Sequence, residues 1–193
     1  MEIILASGSP RRKDLLKSIV PDFKIIVSDA DETLKEGITP EEQATRLSYI
    51  KAKTVFDKTE GDRIVIGSDT MVVKNNKIYG KPKNKEQAKL MIKDLLKDDR
   101  KHKVVTGLCV MIENNKEYHE FNLYDSTIVY FTEISDREIN NWVNTGKAMD
   151  KAGAYAMQDE FGVFIERIDG NYSTVIGLPI YKLYGIIKRY INN

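Results

Sequence analysis

The sequence predicts an α/β fold: a mixed sheet flanked by helices. Two observations carry this. Short β-branched runs alternate with amphipathic helical stretches along the whole chain, and neighbouring strand candidates are joined sometimes by two-residue turns and sometimes by helices. No repeat or low-complexity tract interrupts them. The 193 residues favour one domain spanning 1–193, within which two lobes separated by a cleft are the variant to expect.

The elements follow in order. Glu2 to Ala6 reads as a short buried strand. Ser7-Gly8-Ser9 turns the chain, and Ser9-Pro10 sets an N-cap residue before a proline at the first helical position; Leu15, Leu16 and Ile19 form that helix's apolar face. Phe23 to Val27 is a second strand, followed by an acidic loop from Ser28 to Glu32. Thr39-Pro40-Glu41-Glu42 is a capping box that opens a helix running to about Asp57. Arg63 to Ile66 reads as a strand ending at Gly67-Ser68-Asp69-Thr70, and Asn75-Asn76 as a tight hairpin between Met71–Lys74 and Lys77–Tyr79. Asn84 caps a helix whose apolar residues Ala88, Met91, Ile92, Leu95 and Leu96 share one face. Lys103 to Ile112 is strand, Asn114-Asn115 a turn, and Glu117 to Phe131 the returning strand. Ser135 and Glu138 form a second capping box, on a helix that ends near Gly146. Gly162 to Ile168 is the last strand, and Pro179 begins a final helix carrying Leu183, Ile186, Ile187 and Tyr190.

Composition excludes several classes. Lys+Arg (30) balances Asp+Glu (29), and a net charge of +1 supplies no global field for nucleic acid or a membrane surface. No apolar run approaches the ~20 residues of a membrane helix. The N-terminus lacks the basic-then-apolar layout of a signal peptide, so a cytoplasmic location is expected. Cys109 is the only cysteine, which excludes an intrachain disulfide, and the two histidines, His102 and His119, exclude a His-rich zinc cluster. A metal here would be held by oxygen, which points to Mg²⁺ or Mn²⁺.

Five places could carry chemistry. Ser7-Gly8-Ser9-Pro10-Arg11-Arg12 lies at a strand-to-helix turn, where backbone N–H groups bind anions. Arg11, Arg12 and Lys13 sit in the first helical turn, opposing the helix dipole by ~0.3–1 kcal/mol each unless an anion binds there. Lys51 falls in register with Leu47 and Val55, on the apolar stripe of its helix; it either snorkels to solvent or meets a phosphate. Asp69, expected at the end of a buried strand, and Glu32, in the acidic loop, could hold a divalent cation and orient a water, or could cap a turn and face solvent. Lys81 in Gly80-Lys81-Pro82 reads as an exposed loop lysine. Asp150-Lys151-Ala152-Gly153-Ala154-Tyr155-Ala156-Met157-Gln158 combines small residues with polar ones, and the Gln158 amide can donate and accept at once, as a uracil or thymine edge requires. Together they describe a triphosphate site.

In this order, the segments Leu5 to Arg12, Lys51-Ala52, Ile66 to Thr70, Gly80-Lys81-Pro82, Asp150 to Tyr155 with Gln158, and Gly177-Leu178-Pro179 resemble the Maf family of nucleotide pyrophosphatases over nearly the whole chain. The resemblance implies an elongated α/β fold shared with inosine triphosphate pyrophosphatases, cleavage between the α and β phosphates, and a homodimer. It assigns the proton acceptor to Asp69. The arginine, threonine and glutamine at Arg11, Thr70 and Gln158 look like the subfamily acting on dTTP and UTP. The chain departs from the family pattern at Ser68, where alanine is usual, and at Ala156 and Asp159, where glycines are usual.

The expected protein is thus a metal-dependent hydrolase of pyrimidine nucleoside triphosphates. Asp69 is its base, Glu32 and Asp69 its metal ligands, and Ser7, Ser9, Arg11, Arg12, Lys51, Thr70, Lys81, Asp150 and Gln158 its substrate-binding residues. The rivals are a nucleotide-binding regulator of cell division that needs no turnover, and a purine-specific pyrophosphatase.

Overall fold

Both capping boxes form. The Thr39 hydroxyl accepts the Glu42 N–H while the Glu42 carboxylate accepts the Thr39 N–H, and Ser135 and Glu138 do the same. Such caps are worth ~1 kcal/mol each and fix where their helices begin. The computed structural model describes residues 1–191. In chain order its elements are β1 (Glu2–Leu5), α1 (Pro10–Lys17), β2 (Lys24–Ile25), α2 (Pro40–Phe56), β3 (Arg63–Lys74), β4 (Lys77–Tyr79), α3 (Lys85–Leu96), β5 (Lys101–Asn114), β6 (Glu117–Phe131), α4 (Asp136–Asn144), β7 (Ile165–Asp169), α5 (Tyr172–Ile176) and α6 (Ile180–Ile191), with 3₁₀ turns at Lys147–Asp150, Ala152–Ala154 and Glu160–Phe164.

The seven strands form one mixed sheet in the order β2-β1-β3-β5-β6-β7, with β4 also paired to β3. β1 runs parallel to both β2 and β3, pairing Leu5 with Ile25 and with Ile66. β4 is antiparallel to β3 across Asn75-Asn76, whose φ values of 51° and 60° make the expected tight turn. β7 is antiparallel to β6. The β5–β6 turn falls at Asn115-Lys116, one residue beyond the sequence reading.

The main correction concerns β3. Gly67-Ser68-Asp69-Thr70 does not end a strand: β3 runs unbroken from Arg63 to Lys74. Gly67 serves close approach, not a turn. A Cβ there would lie 2.2 Å from the Ser48 carbonyl oxygen of α2, and one on Gly107 of β5 would lie 2.1 Å from that of Ala44. The helix therefore lies directly on the strand backbones. Two other strands are shorter than expected. β2 keeps only Lys24–Ile25, and residues 160–164 coil as a 3₁₀ turn before β7.

The chain divides into two compact units: Met1–Asp69, Thr106–Asp125 and the chain from Gly177 onward form the first, and Thr70–Val105 with Ser126–Ile176 form the second. The first unit's core holds Ile4, Ala6, Ala52, Val55, Val65, Cys109 and Met111. Burial pushes the Cys109 thiol well above its ordinary pKa, so it packs as an inert hydrophobe. The second unit packs Ala88, Ile92 and Leu95 of α3 in a cluster with Phe131, Trp142, Tyr155 and Phe161. The Trp142 indole donates to the Ala154 carbonyl at 2.8 Å, and His102 Nε2 lies 2.6 Å from the Tyr155 hydroxyl.

Candidate active site

In the first unit the site grows from the β1–α1 turn. Ser9 takes the N-cap position of α1, yet its side chain makes no capping hydrogen bond. Ser7 organises the turn instead. Its buried hydroxyl oxygen accepts the Ser9 N–H at 3.3 Å and an Arg12 guanidinium N–H at 3.1 Å. Arg12 Nε also donates to the Gly177 carbonyl at 2.8 Å. Burial lowers the Arg12 pKa, the Asp69 and Glu32 charges oppose that shift, and Arg11 adds to it. The guanidinium stays charged throughout the physiological range.

Ser68 sits behind this arrangement, fully buried. Its hydroxyl lies 2.9 Å from the Gly107 carbonyl and 2.8 Å from the Gly177 carbonyl, sharing one proton between them. The Gly177 carbonyl is therefore a common acceptor for Ser68 and Arg12. Sequence reasoning gave neither Ser68 nor Gly177 a role. A backbone acceptor has no residue signature, so only the Gly177-Leu178-Pro179 motif marked the segment.

For Lys51 the structure sets aside one of the two readings, snorkelling. It lies on the buried face of α2 as the spacing predicts, but its ammonium does not snorkel to solvent. It donates to Asp69 Oδ1 at 2.6 Å and lies 2.9 Å from Glu32 Oε2. The Lys51 and Asp69 side chains are 10% and 11% exposed, and that of Glu32 is 55%. Asp69 is placed by β3, Lys51 by α2, and Glu32 by the loop after β2. Ser7, Arg12, Glu32, Lys51 and Asp69 are thus gathered within the first unit.

The second unit holds the other sequence candidates. Thr70 follows Asp69 on β3 and is half-buried. Lys81 is exposed beyond β4, as expected. The neighbouring Gly80 carbonyl accepts the Gly153 N–H at 3.1 Å, which ties Gly80-Lys81-Pro82 to the Asp150–Tyr155 segment. Asp150 is exposed and pairs with Lys151. The buried Lys151 ammonium reaches the Lys147 carbonyl at 2.6 Å, Asp150 Oδ1 at 2.7 Å and Asp159 Oδ2 at 3.1 Å. Gln158 is exposed on the turn between two 3₁₀ segments.

Among the described residues no three His, Cys, Asp or Glu side chains cluster to hold a metal. The Glu32–Asp69 pair still fits Mg²⁺ or Mn²⁺. These hard cations take one or two carboxylates and complete their shell with phosphate oxygens and water. No described helix is long and apolar enough to cross a membrane.

A strand-to-helix turn that carries Arg11 and Arg12 stands in the same unit as a lysine-paired carboxylate on a central strand, an arrangement with the chemistry to take an anion. The match to known proteins makes that class specific: residues 2–190 match the family described as Maf-like protein, and the chain belongs to that family. It is 43% identical over 189 residues to the dTTP/UTP pyrophosphatase of Alkaliphilus oremlandii, covering 97% of this chain and 95% of that one. It is 44% identical over 193 residues to the protein of the same name from Clostridium botulinum, covering 97% and 96%. Among solved structures it is similar to the Ham1 protein of Staphylococcus aureus, with a TM-score of 0.51, 18% identity, and coverage of 98% and 99%. That likeness concerns the fold alone.

Proposed function

We propose that the protein hydrolyses a pyrimidine nucleoside triphosphate, dTTP or UTP, to the monophosphate and pyrophosphate. The Lys51–Asp69 pair carries this reading. A nucleotide binder gains little from a buried carboxylate beside an anion site, whereas a hydrolase needs one to take a proton from water. Relatives at 43% and 44% identity that are named for this reaction support it.

In this reading Arg12, fixed by Ser7 and Gly177, binds phosphate oxygens together with Arg11 and Lys51, and stabilises charge on the departing pyrophosphate. The start of α1 offers backbone N–H groups to the same anion, and Ser9 its hydroxyl, which makes no capping hydrogen bond. Water attacks the α-phosphorus, the bond from phosphorus to the bridging oxygen breaks, and the water's proton passes to the Asp69 carboxylate. Glu32 and Asp69 are the residues to hold Mg²⁺ or Mn²⁺, which when bound neutralises phosphate charge. Lys81 and Asp150 contribute to substrate binding, and Thr70 and Gln158 read the base. This reading places the protein in the cytoplasm, where nucleotide pools lie.

The test is product analysis. Pyrophosphate and orthophosphate release are measured separately with dTTP, UTP, CTP, GTP and 7-methyl-GTP, before and after a chelator and after adding back Mg²⁺ or Mn²⁺. Pyrophosphate from dTTP or UTP, lost in chelator and restored by metal, is the expected result. Orthophosphate as the product, or full turnover in chelator, overturns it. Tight nucleotide binding with no product would establish the regulator instead.

A further inference from the structure

We infer that Asp159 is a positioning residue for base selection: its ion pair with Lys151 closes the segment from Lys151 to Asp159 and fixes the backbone that presents Gln158. The inference rests on the proposed reading of the base by Gln158 and says what holds that side chain in place.

The segment is fastened in two halves, both inside the second unit. Neighbouring elements hold the first half. Gly153 and Ala154 take φ values of 67° and 64°, and alanine stays in that left-handed region only where its surroundings keep it there. The Trp142 indole does so by donating to the Ala154 carbonyl at 2.8 Å, and the Gly80 carbonyl by accepting the Gly153 N–H at 3.1 Å. Tyr155 then turns into the core, its hydroxyl 2.6 Å from His102 Nε2.

The second half carries Gln158 and is held from Asp159. Lys151 is the anchor. Its buried ammonium donates to the Lys147 carbonyl at 2.6 Å and to Asp150 Oδ1 at 2.7 Å, which ties it to its own end of the segment. Its ion pair with Asp159 Oδ2 at 3.1 Å reaches across the Met157-Gln158 turn to the other end. The Asp159 carbonyl in turn accepts the Gly162 N–H at 2.8 Å, and a Cβ on Gly162 would lie 2.3 Å from the Met157 carbonyl oxygen. The chain is therefore fixed on both sides of Gln158: Met157 lies against Gly162, and Asp159 is paired to Lys151. Gln158 itself is exposed. An exposed amide on a fixed backbone loses less freedom on meeting a base than one on a loose loop, and the difference appears as affinity for the base it fits. Lys147 and Glu160 form a second ion pair across the same segment, but both side chains are exposed, so it holds little.

The experiment reads base preference as binding, which does not depend on cleavage. Dissociation constants for α,β-methylene-dTTP and α,β-methylene-GTP are measured calorimetrically, and their ratio is the preference. Asp159→Ala should cut the preference for the dTTP analogue about three- to fivefold, the worth of a partly exposed ion pair. Glu160→Ala should stay within about twofold of wild type. Gln158→Ala should cut the preference further than Asp159→Ala does, and adding Asp159→Ala to it should then change the ratio by less than about twofold, because Asp159 acts only through Gln158. A merely structural role for Asp159 would not vanish in that background. Circular dichroism confirms folding, and Asp159→Asn, which also removes the charge, substitutes if Asp159→Ala does not fold. Three results overturn the inference: a folded Asp159 variant with wild-type preference, an equal loss in Glu160→Ala, or a full further loss in the double variant. An effect of Gln158→Ala with none from Asp159→Ala removes this inference alone. If Gln158→Ala leaves the ratio unchanged, base reading by Gln158 fails and the inference falls with it.

Discussion

Replacing Asp69 by asparagine should abolish turnover and leave a folded protein. The exchange keeps shape and removes one charge. Lys51, 10% exposed, then loses an ionic partner at 2.6 Å but keeps Glu32 at 2.9 Å. Stripping one partner from a fully buried ion pair costs about 3–5 kcal/mol. Here Glu32 remains, and the asparagine carbonyl still accepts a hydrogen bond, so about 1–2 kcal/mol is expected. At roughly 2–4 °C per kcal/mol for a chain of this size, Tm should fall by about 2–8 °C. The chemical step loses its proton acceptor, worth about 10²–10⁴ in kcat. Pyrophosphate release at saturating dTTP, alongside a thermal melt, measures both quantities. A folded Asp69→Asn protein with kcat within about tenfold of wild type refutes the assignment of the base. A protein that fails to fold refutes the claim that Glu32 can hold Lys51 alone.

Three further outcomes are expected. Arg12→Ala should weaken triphosphate binding by about tenfold or more, the worth of a charged hydrogen bond. It should change stability little, because Ser68 still serves the Gly177 carbonyl and the Ser9 N–H still serves Ser7; a large drop in Tm with unchanged affinity would make the residue structural. Burial and the Lys74 charge bring His102 down to about 3 from 6.5. The unfolded chain therefore binds a proton below about pH 6.5 that the native state refuses, so stability is full above that pH and falls as pH drops toward 3, by up to ~1.4 kcal/mol per pH unit. Urea unfolding between about pH 7 and pH 5 should show this slope, reduced in His102→Gln; an equal slope in both proteins would place the titration elsewhere. Gln158 is exposed, so Gln158→Ala should shift stability by no more than about 0.5 kcal/mol while cutting the kcat/KM preference for dTTP over GTP about tenfold; an unchanged ranking assigns base reading to another residue.

The periodic elements were legible because their signals are local. The starts of α2 and α4 follow from capping boxes, and the Asn75-Asn76 hairpin from turn chemistry. Placement of Lys51 on the buried face of α2 followed from its register with Leu47 and Val55. What its ammonium meets did not, because Glu32 and Asp69 approach it from a loop and a strand far along the chain. Gly67-Ser68-Asp69-Thr70 misled for a physical reason. Glycine beside small polar residues reads as a turn, yet here glycine admits the backbone of α2, a demand visible only once helix and strand are packed. β2 shrank because Ile25 and Val27 stay exposed, 42% and 65%, so no packed face extends the strand. The Ser68 and Arg12 bonds to the Gly177 carbonyl were invisible, since any residue carries that acceptor.

Burial alone does not distinguish a working lysine from a structural one in this protein. The Lys51 and Lys151 side chains are 10% and 8% exposed, and each ammonium lies between two carboxylates. The difference is saturation. An ammonium has three N–H donors. Lys151 meets three acceptors: Asp150, Asp159 and the Lys147 carbonyl. Two hydrogen bonds and an ion pair hold it, so it fastens the segment that carries Gln158. Asp159, where the resemblance leads one to expect glycine, supplies an ion pair at 3.1 Å, and its φ of −96° is an extended conformation open to any residue. That departure therefore strains nothing and adds a tether. Lys51, by contrast, meets two carboxylate oxygens among the described residues. In the proposed hydrolysis its remaining donor goes to a phosphate oxygen, while Glu32 is the more exposed of its two present partners.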